Sequence, residues 1–154
     1  MTGRAPRPTS DSPNPSVDPA ALHPECVVCA ASNPRGLALK FVASADGRGV
    51  EAAFECHEVF QGYIGLIHGG IVSAVLDGAM AHCLFHLGRV AHTGSLAVRF
   101  RHPVVVDRQA TVRARLERSL GRLHILSAEL EQDRQVKATA SGKFVETPPV
   151  QDNA

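Results

Sequence analysis

The sequence has almost no net charge, because 16 lysines and arginines offset 15 acidic residues and leave a formal charge of +1. A general nucleic-acid-binding protein needs a strongly basic surface, so this balance argues against nucleic acid as a partner. The two early arginines, Arg4 and Arg7, are not followed by an apolar run, so we expect no signal peptide. The cytoplasm is therefore the expected location, and the four cysteines should remain thiols there.

Long apolar runs are also scarce. The one stretch that comes near to a membrane span covers residues 68–87, and it contains Asp77. An aspartate at the centre of a bilayer costs roughly 2.5–3.5 kcal/mol. We therefore expect no membrane partner and interpret this stretch as a helix in the core of a water-soluble domain.

The length of 154 residues and a hydrophobic content of 44% are typical of one globular domain. Residues 1–24 hold six of the ten prolines, and such a composition predicts a disordered tail. A second tail begins after the proline pair at 148–149. The prediction is an N-terminal tail over 1–24, a single domain over 25–147 and a C-terminal tail over 148–154.

The segment 68–87 is the element around which the rest of the chain is organised. A helix that is apolar on nearly all sides is a buried one. This one should begin at the Gly69-Gly70 turn and end near Gly88, and its apolar residues are Ile71, Val72, Val75, Leu76, Met80, Leu84 and Leu87.

Alternating apolar and polar residues predict strands on both sides of this helix. The predicted strands cover residues 37–43, 49–56, 96–100, 112–117, 123–131 and 136–145, with a loop over 88–92. The order is two strands, one buried helix and then a four-strand antiparallel meander, which indicates an α+β fold. A single helix that is apolar all round must be wrapped by the sheet.

Asp77 is the one carboxylate inside the apolar helix. A carboxylate in such a setting is paired, hydrogen-bonded or functional. Ser73, four residues earlier on the same face, could be a local partner. At the helix start, the free N–H groups beside the two glycines could hold a carbonyl oxygen or an anion.

The spacing of His68-Gly69-Gly70 and Asp77 resembles the signature of hot-dog-fold acyl-CoA thioesterases of the PaaI type, in the 4-hydroxybenzoyl-CoA thioesterase superfamily. Three further blocks resemble a branch of that family in the same order: the segment from Cys26-Val27-Val28-Cys29 to Phe41, Phe60 to Ile67, and Thr93 to Pro103. The resemblance covers about residues 23–146. It implies the hot-dog fold, an antiparallel sheet wrapped around one long central helix.

The resemblance also implies a reaction and its catalytic residues. Asp77 stands at the family's catalytic acid position and would act as general base or as nucleophile, a choice that the sequence leaves open. The amide of Gly70, with Gly69 beside it, would polarise the thioester carbonyl. Thr93 would help to place the water or the acid. His68 would either bond the carbonyl region or cap the helix.

Two substrate-binding features follow from the same resemblance. Some relatives place a polar side chain six residues before the histidine, where this chain has Gly62, while Gln61 lies seven before. Coenzyme A carries phosphates, which arginine suits by charge and geometry. Of the seven arginines between residues 99 and 122, Arg99 and Arg101 lie nearest the Thr93 block, and most of the others should be solvated.

The paired cysteines Cys26 and Cys29 admit a zinc interpretation, with His23 and the Cys56-His57 pair as further ligands. The alternative is two small residues that pack a turn. His82 and His86 lack the intervening glutamate of the zinc-binding motif H-E-x-x-H. We therefore expect them to form the more polar end of the helix. The expectation is no metal and no cofactor, with acyl-CoA as the substrate.

The sequence therefore predicts an acyl-CoA thioesterase that assembles with itself, since hot-dog subunits join as homodimers or as dimers of dimers. Members of the resembling branch often have glutamate after the aspartate, where this chain has Gly78. That departure and the shifted Gln61 keep open a non-catalytic acyl-CoA-binding or sensing protein. A hydratase, with Asp77 and His82 as its pair, is a third possibility, which the His68-Gly69-Gly70 context disfavours.

Overall fold

A computed structural model describes residues 17–147, in which six antiparallel strands wrap one long helix. The helices are α1 (Pro19–Leu22) and α2 (Gly69–His86), with a 3-10 turn at Glu58–Phe60. The strands are β1 (Val42–Ala43), β2 (Gly49–Glu55), β3 (Ala91–Phe100), β4 (Gln109–Leu120), β5 (Leu123–Gln132) and β6 (Gln135–Glu146). The α+β class and the long central helix are as predicted. No helix within residues 17–147 has both the length and the apolar character that crossing a bilayer requires.

The core lies between α2 and one face of the sheet. Residues from every side of the helix are buried, which confirms that it is apolar all round, and α2 matches the predicted bounds of 68–87 to within one residue at each end. Phe54 and Phe144 from the sheet are fully buried against it. Each such large side chain contributes about 1.5–3 kcal/mol by leaving water, so this interface supplies most of the hydrophobic stabilisation.

Strand order in the sheet is β1-β2-β4-β5-β6-β3, which corrects the predicted four-strand meander. Only β4, β5 and β6 form a meander, and β3 pairs with β6 at the far edge. The connection from β3 to β4 crosses beneath the start of α2, where the Ile67 N–H donates to the Val104 carbonyl. The buried Gln132 amide also binds both backbone groups of Val105. Alternation along a strand indicates which face is buried but not which neighbour it pairs with.

Three strands differ in extent from the prediction, and β4 runs three residues further at each end than the predicted 112–117. The first strand was expected over 37–43, but only Val42 and Ala43 pair in the sheet, because the Leu37 and Leu39 N–H groups donate to the carbonyls of Val27 and Val28. Strand β3 begins at Ala91, five residues before the predicted start at 96, and includes the end of the predicted loop over 88–92.

Part of the predicted N-terminal tail is packed on the domain. The Val17 N–H donates to the Phe85 carbonyl at the end of α2. Asp18 then caps the short helix α1 by accepting from the Ala20 N–H. Residues 17–24 therefore belong with the domain. Residues 1–16 and 148–154, where the remaining tails were predicted, lie outside the described residues.

Gly78 marks where the segment that carries Cys26 and Cys29 meets α2. A Cβ atom built on Gly78 would lie 2.5 Å from Cγ1 of Val28, the residue between those cysteines. No side chain fits at that distance unless the backbone or the stiff valine moves. The glycine that replaces the expected glutamate is thus required by close packing of the N-terminal segment on the helix.

We predict that Gly78→Ala lowers the free energy of unfolding by about 1 kcal/mol, since an overpacking cost of about 1–3 kcal/mol outweighs a helix-propensity gain of about 1 kcal/mol. In a Val28→Ala background the same substitution should instead stabilise, because the blocking methyl groups are gone. Urea unfolding of the four proteins of this cycle measures both effects. The same sign in both backgrounds would contradict the packing argument.

Candidate active site

Asp77 and Thr93 come together at the edge of the sheet. Asp77 lies half-buried on α2, and Thr93 lies on the neighbouring edge strand β3. The Thr93 hydroxyl donates a hydrogen bond of 2.7 Å to Oδ1 of Asp77. The pairing of β3 with β6 shifts between Thr93 and Ser95, and such a bulge re-aims the side chains beside it. Asp77 and Thr93, which lie sixteen positions apart in the sequence, are thus joined by one hydrogen bond between a hydroxyl and a carboxylate.

The contact between Ser73 and Asp77 that the sequence suggested is not made. Ser73 Oγ donates instead to the Gly69 carbonyl at 3.0 Å, one helical turn before it. A serine in a helix interior commonly bonds the carbonyl four residues back. Asp77 therefore takes its hydroxyl partner from the sheet and not from its own helix.

The start of α2 is capped by His68. Its Nδ1 accepts from the Gly70 N–H at 2.8 Å, and its carbonyl accepts from the N–H groups of Ile71 and Val72. His68 therefore caps the helix, which is one of the two roles that the sequence left open for it. Of the first three helical amides, only that of Gly69 has no acceptor within residues 17–147. The Gly70 amide, which the sequence suggested as the carbonyl-polarising donor, is already engaged.

Asp77 and the free Gly69 amide of one chain cannot act on the same carbonyl group. Eight residues along an α-helix span about 12 Å, whereas a reacting carbonyl must lie about 3 Å from both its donor and the attacking group. The acid and the helix start of one chain are therefore too far apart to serve one reacting group.

Gln61 and Gly62 lie in the loop that leads to α2. Oε1 of Gln61 accepts from the Gly65 N–H at 3.0 Å, so that oxygen holds the loop in shape. A Cβ on Gly62 would lie 3.1 Å from the His68 ring, so glycine at this position allows the loop to close on the cap. Both residues are exposed, and neither contacts Asp77.

A cavity of about 300 Å³ opens beside the helix start, and Gly69 and Arg101 are among the residues that line it. Apolar side chains form much of its wall: Ile67, Val72, Phe100 and Val104. The Phe100 ring lies 3.5 Å from where a Gly69 Cβ would be, so a side chain at Gly69 would meet this ring. Arg99 lies outside this cavity on the exposed edge of β3.

Several of the other arginines are held by acidic side chains. Arg113 forms ion pairs with Glu51, Glu129 and Glu131, while Arg108 pairs with Asp133. Neither Arg99 nor Arg101 has an ionic partner within residues 17–147. A second cavity, of about 400 Å³, is lined by Arg113 and Glu129 but by none of the predicted site residues. Arg118 and Arg122 also form no ion pair within residues 17–147, so Arg101 is distinguished by its place on the cavity beside the helix start.

A further cluster was not predicted as a group. His23, Cys29 and His82 place their donor atoms within 4.8 Å of one another at the C-terminal half of α2. Burial, reinforced by the Cys26 thiol, raises the pKa of the Cys29 thiol to about 12. Burial also lowers the pKa of His82 to about 4, with repulsion from His23 as a smaller cause. The sequence signal was the equal spacing of His23, Cys26 and Cys29, but nothing in it indicated His82.

Comparison with known proteins supports the family suggested by the motifs. The sequence profile of the acyl-CoA thioesterase N-terminal domain matches residues 60–145, more than half of the chain. The acyl-coenzyme A thioesterase THEM4 of Bos taurus is 25% identical over 118 residues, which are 74% of this chain and 48% of THEM4. The chain thus spans about half the length of this curated relative.

Solved structures share the fold. The thioesterase superfamily protein RHA08564 has a TM-score of 0.72 at 23% identity, over 84% of this chain and 63% of that one. The Escherichia coli PaaI protein has a TM-score of 0.67 at 16% identity, over 73% and 81% of the two chains. The smu.793 protein of Streptococcus mutans, solved with bound acetyl CoA, has a TM-score of 0.67 at 16% identity, over 78% and 93%. The chain therefore has the hot-dog fold and belongs to the family of acyl-CoA thioesterase N-terminal domains.

Proposed function

We propose that this protein hydrolyses an acyl-CoA thioester to a free acid and CoA, with Asp77 as the reacting carboxylate. The observation that carries the proposal is the 2.7 Å hydrogen bond from Thr93 to Asp77 at an exposed sheet edge. Membership of the thioesterase family supports the same reaction class.

The chemistry requires a group that attacks the thioester carbon and a donor that stabilises the oxyanion. Thr93 binds one oxygen of the Asp77 carboxylate, which leaves the other to accept a proton from water or to attack directly. Single turnover in ¹⁸O-labelled water separates the two routes. Direct attack expels the CoA thiolate and forms a mixed anhydride; when water opens this anhydride at the aspartyl carbon, an unlabelled Asp77 oxygen leaves in the first molecule of product and the label stays in Asp77. An activated water instead places the label in the product and leaves Asp77 unlabelled.

The oxyanion donor in this proposal is the amide of Gly69, in place of Gly70. The Gly70 N–H is held by His68, while the Gly69 N–H has no acceptor in the described part of the chain and carries the positive end of the helix dipole. One such donor typically lowers the barrier by about 3–4 kcal/mol. His68 acts here as the cap that fixes the direction of this amide.

The site is assembled from two copies of the chain. The separation of about 12 Å between Gly69 and Asp77 along α2 calls for a second helix start to face the acid. The edge strand β3 carries Thr93, and most of its residues are exposed. An exposed edge strand is a ready surface for pairing with another chain. A second copy that pairs along β3 would place its helix start near the Asp77–Thr93 contact.

Coenzyme A fits the charge and shape of the helix start. Arg101 lines the cavity beside Gly69, and it has no ionic partner among residues 17–147. Its guanidinium can bind phosphate through two parallel hydrogen bonds. The fold neighbour solved with acetyl CoA supports this substrate class. The acyl group would lie against the apolar wall formed by Val72, Phe100 and Val104.

We predict that Asp77→Asn lowers kcat for thiol release from acyl-CoA by about a hundredfold or more, the range for an essential acid–base group. Thr93→Val should cost about ten- to hundredfold, because a hydrogen bond to a charged group is lost. A panel of short, long and aromatic acyl-CoAs, assayed with a thiol reagent, measures both.

The control is Asp107→Asn, an exposed aspartate on the loop before β4, which should leave kcat unchanged. If wild type and Asp77→Asn are equally slow across the panel, the hydrolase proposal fails. Tight binding of acyl-CoA without turnover would then favour the sensing protein.

A separate prediction concerns assembly. Ala97 is exposed on β3, and the substitution Ala97→Arg adds a positive charge beside Arg99. If two chains pair along β3, like charges then face each other across the paired strands, so the variant should be a monomer. Activity should fall with it. The matched control is Ala53→Arg, an exposed alanine on β2, at the opposite side of the sheet from β3. Light scattering coupled to size exclusion gives the mass, and an unchanged oligomer in Ala97→Arg would rule out pairing through β3.

A further inference from the structure

Three separate parts of the chain meet at the C-terminal half of α2. His23 follows the short helix α1, Cys29 lies in the segment that packs on Gly78, and His82 projects from α2 itself. Their donor atoms all lie within 4.8 Å of one another, and Cys29 Sγ is 3.9 Å from His23 Nδ1. This cluster is separate from the Asp77–Thr93 contact and has no part in the proposed hydrolysis.

His82 is the group that calls for an explanation. Its Nε2 is the one buried side-chain nitrogen or oxygen without a hydrogen-bond partner in the described part of the chain. A buried polar atom left unpaired costs about 1–3 kcal/mol. The ring is held in place by stacking on Phe41, with centroids 4.3 Å apart, and by an edge contact with Phe85. The imidazole is thus fixed in a costly position that a ligand would satisfy.

A fourth donor stands beside the cluster. The Cys26 thiol lies within side-chain hydrogen-bond reach of the Cys29 thiol. Cys26 Sγ also accepts from the Val28 N–H at 3.4 Å, and the Cys26 carbonyl accepts from the Ala30 N–H. Backbone N–H groups that point at a sulfur stabilise a metal-bound thiolate. The turn between the two cysteines is therefore already shaped for a metal ligand pair.

We propose that His23, Cys26, Cys29 and His82 bind one Zn²⁺ ion in a tetrahedral, structural site. Two sulfur and two nitrogen ligands are the donor set that zinc takes in closed structural sites, and the two cysteines stand three residues apart, as such sites require. The Cys56-His57 pair weighed from the sequence is not part of it, since Cys56 contacts the Gln132 amide instead.

The donor atoms, which lie within 4.8 Å of one another, would have to draw together around the ion. Zinc bonds of about 2.3 Å to sulfur and 2.0–2.1 Å to nitrogen imply about 3.5 Å between neighbouring donors in a tetrahedron. The 3.9 Å between Cys29 Sγ and His23 Nδ1 is already close to this value. His82 Nε2 has no hydrogen-bond partner in the described part of the chain, so it can bind an ion without breaking an existing bond.

The ion would fasten the N-terminal segment to the central helix. Residues 23–30 otherwise contact α2 through Val28 over Gly78 and through the edge contact of the His23 ring with Phe85. Their backbone bonds to Leu37 and Leu39 tie them to the segment that leads to β1 and not to the helix. A structural zinc adds its binding free energy to the stability of the elements that it joins. The site would thus stabilise the fold without touching the reacting groups.

The test is metal content and spectroscopy of the full chain, purified under reducing conditions. We expect about one zinc per chain by elemental analysis. Replacement with Co²⁺ should give the intense visible bands of a tetrahedral site and a thiolate-to-cobalt charge-transfer band. Wild-type protein that holds no Zn²⁺ after equilibration and gives no such bands with Co²⁺ would overturn the proposal.

Matched variants locate the ion. Cys26→Ala, Cys29→Ala and His82→Asn should each weaken Zn²⁺ binding by about a hundredfold or more, at least the loss seen when a residue that only supports a ligand is removed. Cys83→Ala and His86→Asn, on α2 outside the cluster, should retain it. Equal affinity in the cluster and control variants would refute the site. Far-UV circular dichroism checks that each variant folds. If one of the three cluster variants does not fold, His23→Gln in the half-buried loop should weaken Zn²⁺ binding in the same way.

Discussion

The burial of α2 in the curved sheet is the constraint on which the rest of the structure depends. A helix that is apolar on every side has no face to offer to water, so it must be enclosed, and six strands with a short N-terminal segment enclose it. Close approach is built into the enclosure at two glycines. A Cβ on Gly142 would collide with Phe144 and Met80, and one on Gly78 would collide with Val28.

Enclosure by a single sheet has a consequence for function. The helix presents its half-buried face, with Asp77, toward the edge strand β3, which has a neighbour on one side only. The carboxylate is therefore supported by a sheet hydroxyl and remains open at the edge where another chain can pair. The free amide at the helix start lies about 12 Å away. The length of the helix that the core requires is thus the reason why the two halves of the proposed site come from different subunits.

The N-terminal segment completes the enclosure on the side of α2 that the sheet leaves open. It arrives with two cysteines and a histidine, and it meets a histidine of α2 whose Nε2 has no other partner in the described part of the chain. The unpaired nitrogen and the missing side chain at Gly78 point to one physical need, which is to hold a short loop without secondary structure against a helix. Hydrophobic contact through Val28 meets part of that need, and the proposed zinc meets the rest.

The sequence by itself determined the helix and the fold class, and it selected the two principal residues of the proposed site. Apolar residues lie on nearly all sides of the segment 68–87, and this was enough to predict a buried helix. Asp77 stood out as a carboxylate among apolar residues, and the family motif added Thr93. Only the tertiary structure decided that β3 lies beside β6, that Thr93 and not Ser73 binds Asp77, and that His68 takes up the Gly70 amide. It alone brought His82 to His23 and Cys29. The His68 cap is local, and there the structure chose between two roles that the sequence had left open. The other three cases share one reason: local sequence fixes which face of an element is buried, but strand pairing, the partner of Asp77 and the His–Cys cluster arise between segments far apart in the chain.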